Sequence, residues 1–176
     1  MIESQLTVPR IEGARMSDFD ALYRAQWWPM IRLAQGLVDD AGSAEDVVQD
    51  AFAGLYRRQA GLRDEAAALK YLRVSVVNGA RSALRKRRTV RARLALIRPG
   101  DAPAADEQSL RSVEHDRARR ALAALPDRQR EVLTLRFLAE LSDTEIAETT
   151  GMSAGNVRSA ASRGMATLRA TIGGQS

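Results

Sequence analysis

The stretch Ser142–Leu168 reads SDTEIAETTGMSAGNVRSAASRGMATL, and few local structures satisfy its punctuation. Ser142 followed three residues later by Glu145 is the pattern of a capping box, in which each residue satisfies a backbone N–H of the other. Gly151 stands where a first helix must stop, since glycine enters the left-handed conformation without steric cost. Ser153 can cap a second helix. Val157, Ala161, Met165 and Leu168 recur at helical spacing and give that helix a buried stripe, with Asn156, Arg158, Ser159, Ser162 and Arg163 off it. This is the layout of a helix-turn-helix, whose second helix enters the DNA major groove by its N-terminal half. Two short helices around a glycine also occur in bundles that never touch DNA, so the rest of the chain must decide.

The second constraint is the placement of charge. Residues 81–93, RSALRKRRTVRAR, hold seven basic side chains and no acid, in a chain whose total is +5. The remainder is therefore net acidic, and the block is one concentrated site for a polyanion. A solvated basic helix end is the plainer alternative. Upstream, Leu69, Leu72, Val76, Ala80 and Leu84 predict one long helix from about Ala66 into this block, after a loop at Gly61–Glu65. Asn78, Arg81, Arg85 and Arg88 share one face of it. An amide above a ladder of arginines fits a nucleic-acid strand, phosphates pairing with the guanidiniums and the amide reading a base edge.

Residues 1–16 lack periodicity and read as a loose arm. From Ser17, the residues Phe19, Leu22, Tyr23, Met30, Ile31, Ala34, Leu37 and Val38 define a helix that Pro29 should kink or split after Trp28. Trp27 and Trp28 read as packing residues at that kink. Asp39, Asp40 and Gly42 mark a turn, with Ser43 as the next cap. In the following helix Val47, Val48, Ala51, Phe52, Leu55 and Tyr56 face inward, while Asp46, Gln49 and Asp50 lie on another face. The helix dipole accounts for acids in a first turn, Glu45 and Asp46, but not for Asp50. An outward acidic face suits docking to a basic partner.

Residues 95–111 carry two prolines and a glycine and read as a slightly acidic linker. Beyond it, Val113–Leu125 resumes the pattern, Pro126 starts a helix, and Val132, Leu133, Phe137 and Leu138 are expected to form the core under the helix-turn-helix. From Ser112 on there are nine basic and eight acidic residues, so arginines on the recognition helix act locally. The expected fold is all-α: an arm at 1–16, a helical domain at 17–94, a flexible linker at 95–111 and a helix-turn-helix domain at 112–172. The absence of cysteine excludes disulfides, zinc fingers and thiol nucleophiles, and the lone His115 leaves no histidine metal site. No metal or cofactor is expected. No apolar run approaches membrane-spanning or signal-peptide length, which predicts a soluble, cytoplasmic chain.

LPDRQREVLTLRFLAELSDTEIAETTGMSAGNVRS resembles the fourth-region domain of bacterial sigma factors. AEDVVQDAF followed by KYLRVSVVNGARSALRKRR resembles their second-region domain. The order of the two, over about residues 17–170 and without a third domain between them, is similar to the extracytoplasmic-function (ECF) group. The Arg-over-Lys bias points to a high-GC genome such as an actinobacterial one. The resemblance implies a non-enzymatic subunit that binds core RNA polymerase, takes it to promoter DNA and helps open the strands. By position, Asp46, Gln49 and Asp50 match the face that binds the clamp helices of the polymerase. Tyr71, Asn78, Arg81, Arg85 and Arg88 match the part that captures the melted element. Asn156, Arg158, Ser159, Ser162 and Arg163 match the reader of the upstream element, with Arg136 as a backbone contact. An anti-sigma partner is implied, and no membrane contact of the chain's own. Tyr71 stands where many relatives have tryptophan. Ala160 and Ala161 replace an arginine and a bulky apolar residue, which should weaken upstream binding.

Two other readings remain open from the residues alone. One is a helix-turn-helix regulator that occupies duplex DNA without joining polymerase. The other is a Mg²⁺-dependent enzyme built on Asp39, Asp40, Glu45, Asp46 and Asp50.

Overall fold

Why the chain turns where it does is visible at its helix ends. The computed structural model describes residues 12–58, 64–97 and 120–173. Six helices carry the fold: α1 Glu12–Leu37, α2 Ala41–Arg58, α3 Glu65–Ile97, α4 Asp127–Leu138, α5 Asp143–Thr150 and α6 Ala154–Gly173. A helical segment at 120–123 precedes α4, and no strand occurs among the described residues. Asp40 caps α2, its carboxylate accepting the Ser43 N–H at 2.8 Å. The expected cap, Ser43, is displaced because the helix begins at Ala41, three residues before the start that a Ser43 cap would give. Asp64 caps α3 in the same way, accepting the Ala67 N–H at 2.7 Å.

Two expectations fail in α1. It begins at Glu12, inside the segment read as a loose arm, and it runs unbroken through Pro29. Proline removes one backbone hydrogen bond, and the residues after it, Met30, Ile31, Leu33, Ala34 and Leu37, are all buried. At roughly 1.5–3 kcal/mol for each large apolar side chain buried, that packing outweighs the lost bond. Trp27 joins an aromatic group with Tyr23 and Phe52, at ring distances of 5.2 and 6.0 Å. Trp28 does not pack: it is 59% exposed. Residues 1–11, 59–63 and 98–119, with His115 and most of the predicted linker, lie outside the described residues.

Helices α1, α2 and α3 pack on one another around Leu33, Val48, Leu55, Leu72, Val76 and Val77. Helices α4, α5 and α6 do so around Val132, Leu133, Leu135, Ile146 and Val157. In α4 the expected core is half right. Val132 and Leu133 are buried, but Phe137 is 58% and Leu138 42% exposed, and Leu135 takes the inward place.

The two helical units form one continuous core, with α1 packed on α4 and α3 on α5. Gly36 permits a close approach of α1 to α4. A Cβ there would lie 2.6 Å from Thr134 Cγ2 and 2.9 Å from Leu138 Cδ1. The Thr134 hydroxyl donates to the Gly36 carbonyl at 3.3 Å. Arg130 is 6% exposed and donates to the carbonyls of Leu37 and Ala123 and to Asp39, at 3.2, 2.6 and 3.0 Å. It thereby satisfies a carbonyl at the end of α1 that has no partner within its own helix.

Candidate nucleic-acid interface

The helix-turn-helix forms as its residues require. Ser142 Oγ accepts the Glu145 N–H at 3.3 Å, and Glu145 Oε2 accepts the Ser142 N–H at 2.9 Å. The Ser142 hydroxyl also donates to Glu145 Oε2 at 2.7 Å, and this bond first, then the one from the Ser142 N–H, holds the Glu145 carboxyl below its ordinary range. Gly151 ends α5 at φ 73°, in the left-handed region, and its N–H reaches the Ala147 carbonyl. Ser153 Oγ then accepts the Asn156 N–H at 3.2 Å and starts α6.

Helix α6 buries Val157, Ala160, Ala161 and Gly164, a stripe of small residues at helical spacing. A Cβ on Gly164 would stand 2.8 Å from Leu133 Cδ1, so α6 lies almost backbone-close to α4. Asn156, Arg158, Ser159, Ser162 and Arg163 are all exposed on the opposite side. Ala160 and Ala161 are each only 2% exposed, so both belong to the packed side and neither leaves a gap on the outward face. Arg136 forms an ion pair with Asp143 that ties α4 to the start of α5.

On α3 the arginine ladder is divided. Arg81 makes a two-toothed pair with Glu131 of α4, Nε–Oε1 at 2.8 Å and Nη2–Oε2 at 3.0 Å. The same Nη2 donates to the Thr150 carbonyl at 3.0 Å, at the turn of the helix-turn-helix. Arg88 meets Asp127 at 2.7 Å, and this hydrogen bond, with the carboxylate's charge, raises the guanidinium pKa. Arg87 turns the other way, to Asp40 at 2.6 Å. Arg85 is exposed and bonds Ser82 on its own helix, and Asn78 is exposed with its Oδ1 3.5 Å from Arg81. Tyr71 is half-buried over Gly54, where an added Cβ would be 2.6 Å from its hydroxyl, and the Arg58 guanidinium lies 5.7 Å from its ring. Arg81, Arg88, Arg130, Asp127 and Glu131 line a cavity of ≈ 240 Å³ between α3 and α4.

The residues that sequence reasoning passed over are Arg130, Glu131 and Asp127, which carry the contact between the units. A charged pair beside the apolar run Val132–Leu133 is the only local signal, and its partners lie about fifty to ninety positions away.

The third surface is on α2. Asp46, Gln49 and Asp50 are exposed. Because α2 starts at Ala41, no acid falls in its first turn. The dipole therefore fails to account for Asp46 as well as Asp50. Among the described residues, no three histidine, cysteine or carboxylate side chains are placed to hold a metal ion. Asp39 and Asp40 of the acidic set are paired with Arg130 and Arg87.

Residues 28–90 match the sigma-70 region 2 family and residues 115–168 the sigma-70 region 4 family. The chain is 32% identical over 154 residues to the RNA polymerase sigma-E factor of Streptomyces antibioticus, covering 86% of this chain and 83% of that one. It is 41% identical over 73 residues to the ECF RNA polymerase sigma factor ShbA of Streptomyces griseus subsp. griseus, covering 42% and 38%. Among solved structures, the fold is similar to Bartonella quintana RpoE in its complex with the anti-sigma factor NepR. The TM-score there is 0.70 at 23% identity, over 87% of this chain and 95% of that one. CnrH in complex with the cytosolic domain of CnrY gives 0.66 at 22%, over 92% and 91%. These two helical units in this order define a promoter-recognition subunit of transcription. The chain belongs to the sigma-70 family of RNA polymerase sigma factors, in its ECF group.

Proposed function

We propose that each exposed surface serves one partner in transcription initiation. Asp46, Gln49 and Asp50 on α2 dock the clamp helices of core RNA polymerase. Asn156, Arg158, Ser159, Ser162 and Arg163 on α6 read the upstream promoter element in the major groove, with Arg136 beside the backbone. Asn78, Arg81, Arg85 and Arg88 on α3 take up the melted element, and Tyr71 supports that face from below. The observation that carries this reading is that one chain presents both an acidic helix face with no structural role and a packed recognition helix with an open polar side. A regulator that only occupies duplex DNA needs the second and not the first. The chain then performs no bond chemistry of its own and works in the cytoplasm, where core polymerase is. No described helix is long and apolar enough to cross a membrane. An anti-sigma protein, of the kind found on relatives of the same fold, is the expected inhibitor.

The test is co-elution with core polymerase on size exclusion, followed by transcription from a random promoter library. Asp50→Arg is expected to abolish co-elution while leaving the helical content unchanged. Normal co-elution of that variant would remove the docking face. Failure of the native chain to co-elute, with duplex binding intact, would favour the simple regulator.

A further inference from the structure

Trp28 has no part in any of the three surfaces assigned above. It is 59% exposed, and among the described residues it joins none of the ring pairs that hold Trp27. An exposed tryptophan on its own needs no explanation, but this one has company. Arg24 and Arg32 stand one helical turn before and after it, and all three side chains are exposed. Four-residue steps put them on one ridge of α1, about 6 Å apart along the axis and about 12 Å from end to end. Asp20 ends the ridge a turn earlier, and from Ala21 to Val38 the two arginines are the only charged residues. Neither arginine forms an ion pair among the described residues. Neither guanidinium covers the indole, since the cation–π contact among the described residues is Arg58 with Tyr71. The aromatic face and both cations are therefore open together.

Two kinds of partner have the opposite charge. An acidic protein would bring carboxylates, but a tryptophan anchors a protein interface best inside a pocket ringed by dry contacts, and an outward helix ridge supplies none. A duplex keeps its base faces stacked on one another. A single strand bends over a ridge, spaces its phosphates about 6 to 7 Å apart when extended, and stacks any base on an aromatic face. We propose that Arg24, Trp28 and Arg32 form a further site for single-stranded DNA. One base stacks on Trp28, and the phosphates on either side of it pair with the two guanidiniums. The site lies on α1 and does not rest on the reading of α3. Opened promoter DNA thereby gains a second hold on the N-terminal unit, one that is indifferent to base sequence.

Tryptophan fluorescence tests this at the ridge itself. In the full chain carrying Trp27→Phe, Trp28 is the sole tryptophan, so its emission reports on this site. An oligothymidylate 20-mer is expected to quench it, and a duplex of the same length to leave it unchanged. In the otherwise native chain, Trp28→Ala should weaken oligothymidylate binding at least ~5-fold by anisotropy, while Trp28→Phe, which keeps a stacking face, retains most of it. Arg24→Gln with Arg32→Gln should lower the slope of log affinity against log salt by about 1.4, the share of two single-strand phosphates. An unquenched Trp28 while the oligonucleotide binds overturns the site and leaves the assignment of α3 intact. Absence of any oligonucleotide binding overturns it as well. A response to polyglutamate as strong as that to oligothymidylate overturns it in favour of an acidic protein, and a preference for oligouridylate in favour of RNA.

Discussion

At Arg158 and its neighbours the proposed chemistry is local, because the C-terminal unit has almost no net charge to lend. Arg158→Ala is expected to weaken binding to the preferred upstream duplex by ~1–3 kcal/mol with little change on random DNA, measured by competition gel shift. Equal losses on both would make it a phosphate contact. Gly164 poses the opposite question, one of space. A methyl group there would press on Leu133, which is only 1% exposed, and overpacking of that kind costs about 1–3 kcal/mol. The gain in helix propensity from Gly to Ala, about 1 kcal/mol, offsets part of it. Gly164→Ala should thus lose up to ~2 kcal/mol in urea unfolding, and a stabilised variant would mean that α6 can back away from α4. The cap residues Ser142, Gly151 and Ser153 were legible in the sequence because their partners lie within four positions. Arg130 and Glu131 were not, because their meaning depends on where α1 and α3 end up.

At the scale of helices, α5 is short and leans on its capping box. Ser142→Ala should destabilise it by about 1 kcal/mol, visible as a lower urea midpoint. The box also has a pH signature. The folded Glu145 carboxyl titrates below its ordinary value, so its contribution is present above the unfolded glutamate range and is lost as the pH falls through the folded value. Native and Ser142→Ala chains should therefore converge in stability on acidification. A gap that stays constant with pH would show that the carboxylate adds nothing. Periodicity and end signals together found the six described helices, although α1 was expected to kink or split at Pro29, and α1 and α2 both begin earlier than expected. Helix starts are set by which side chain can reach a free N–H, and Asp40 does so without belonging to the buried stripe. The same shift removed the dipole explanation for Asp46 and strengthened the acidic face.

For the molecule as a whole, the two helical units were readable in order and type, whereas their docking was not. Their contact is built from single residues scattered over α1, α3, α4 and α5, none forming a motif. Arg130 should be the residue on which that docking most depends. Arg130→Met leaves two carbonyls and Asp39 without their donor, at about 3 kcal/mol. It is expected to enlarge the scattering radius of the chain while each unit keeps its helices, by small-angle scattering and circular dichroism. An unchanged radius would move the burden of docking to Gly36 and Thr134. The small-residue side of α6 carries a further consequence. Val157, Ala160, Ala161 and Gly164 fix the rotation of that helix through packing alone, so the outward positions 156, 158, 159, 162 and 163 owe nothing to stability. Under the proposed reading, descendants of this chain can exchange those five side chains, and with them the promoters they favour, without rebuilding the scaffold beneath.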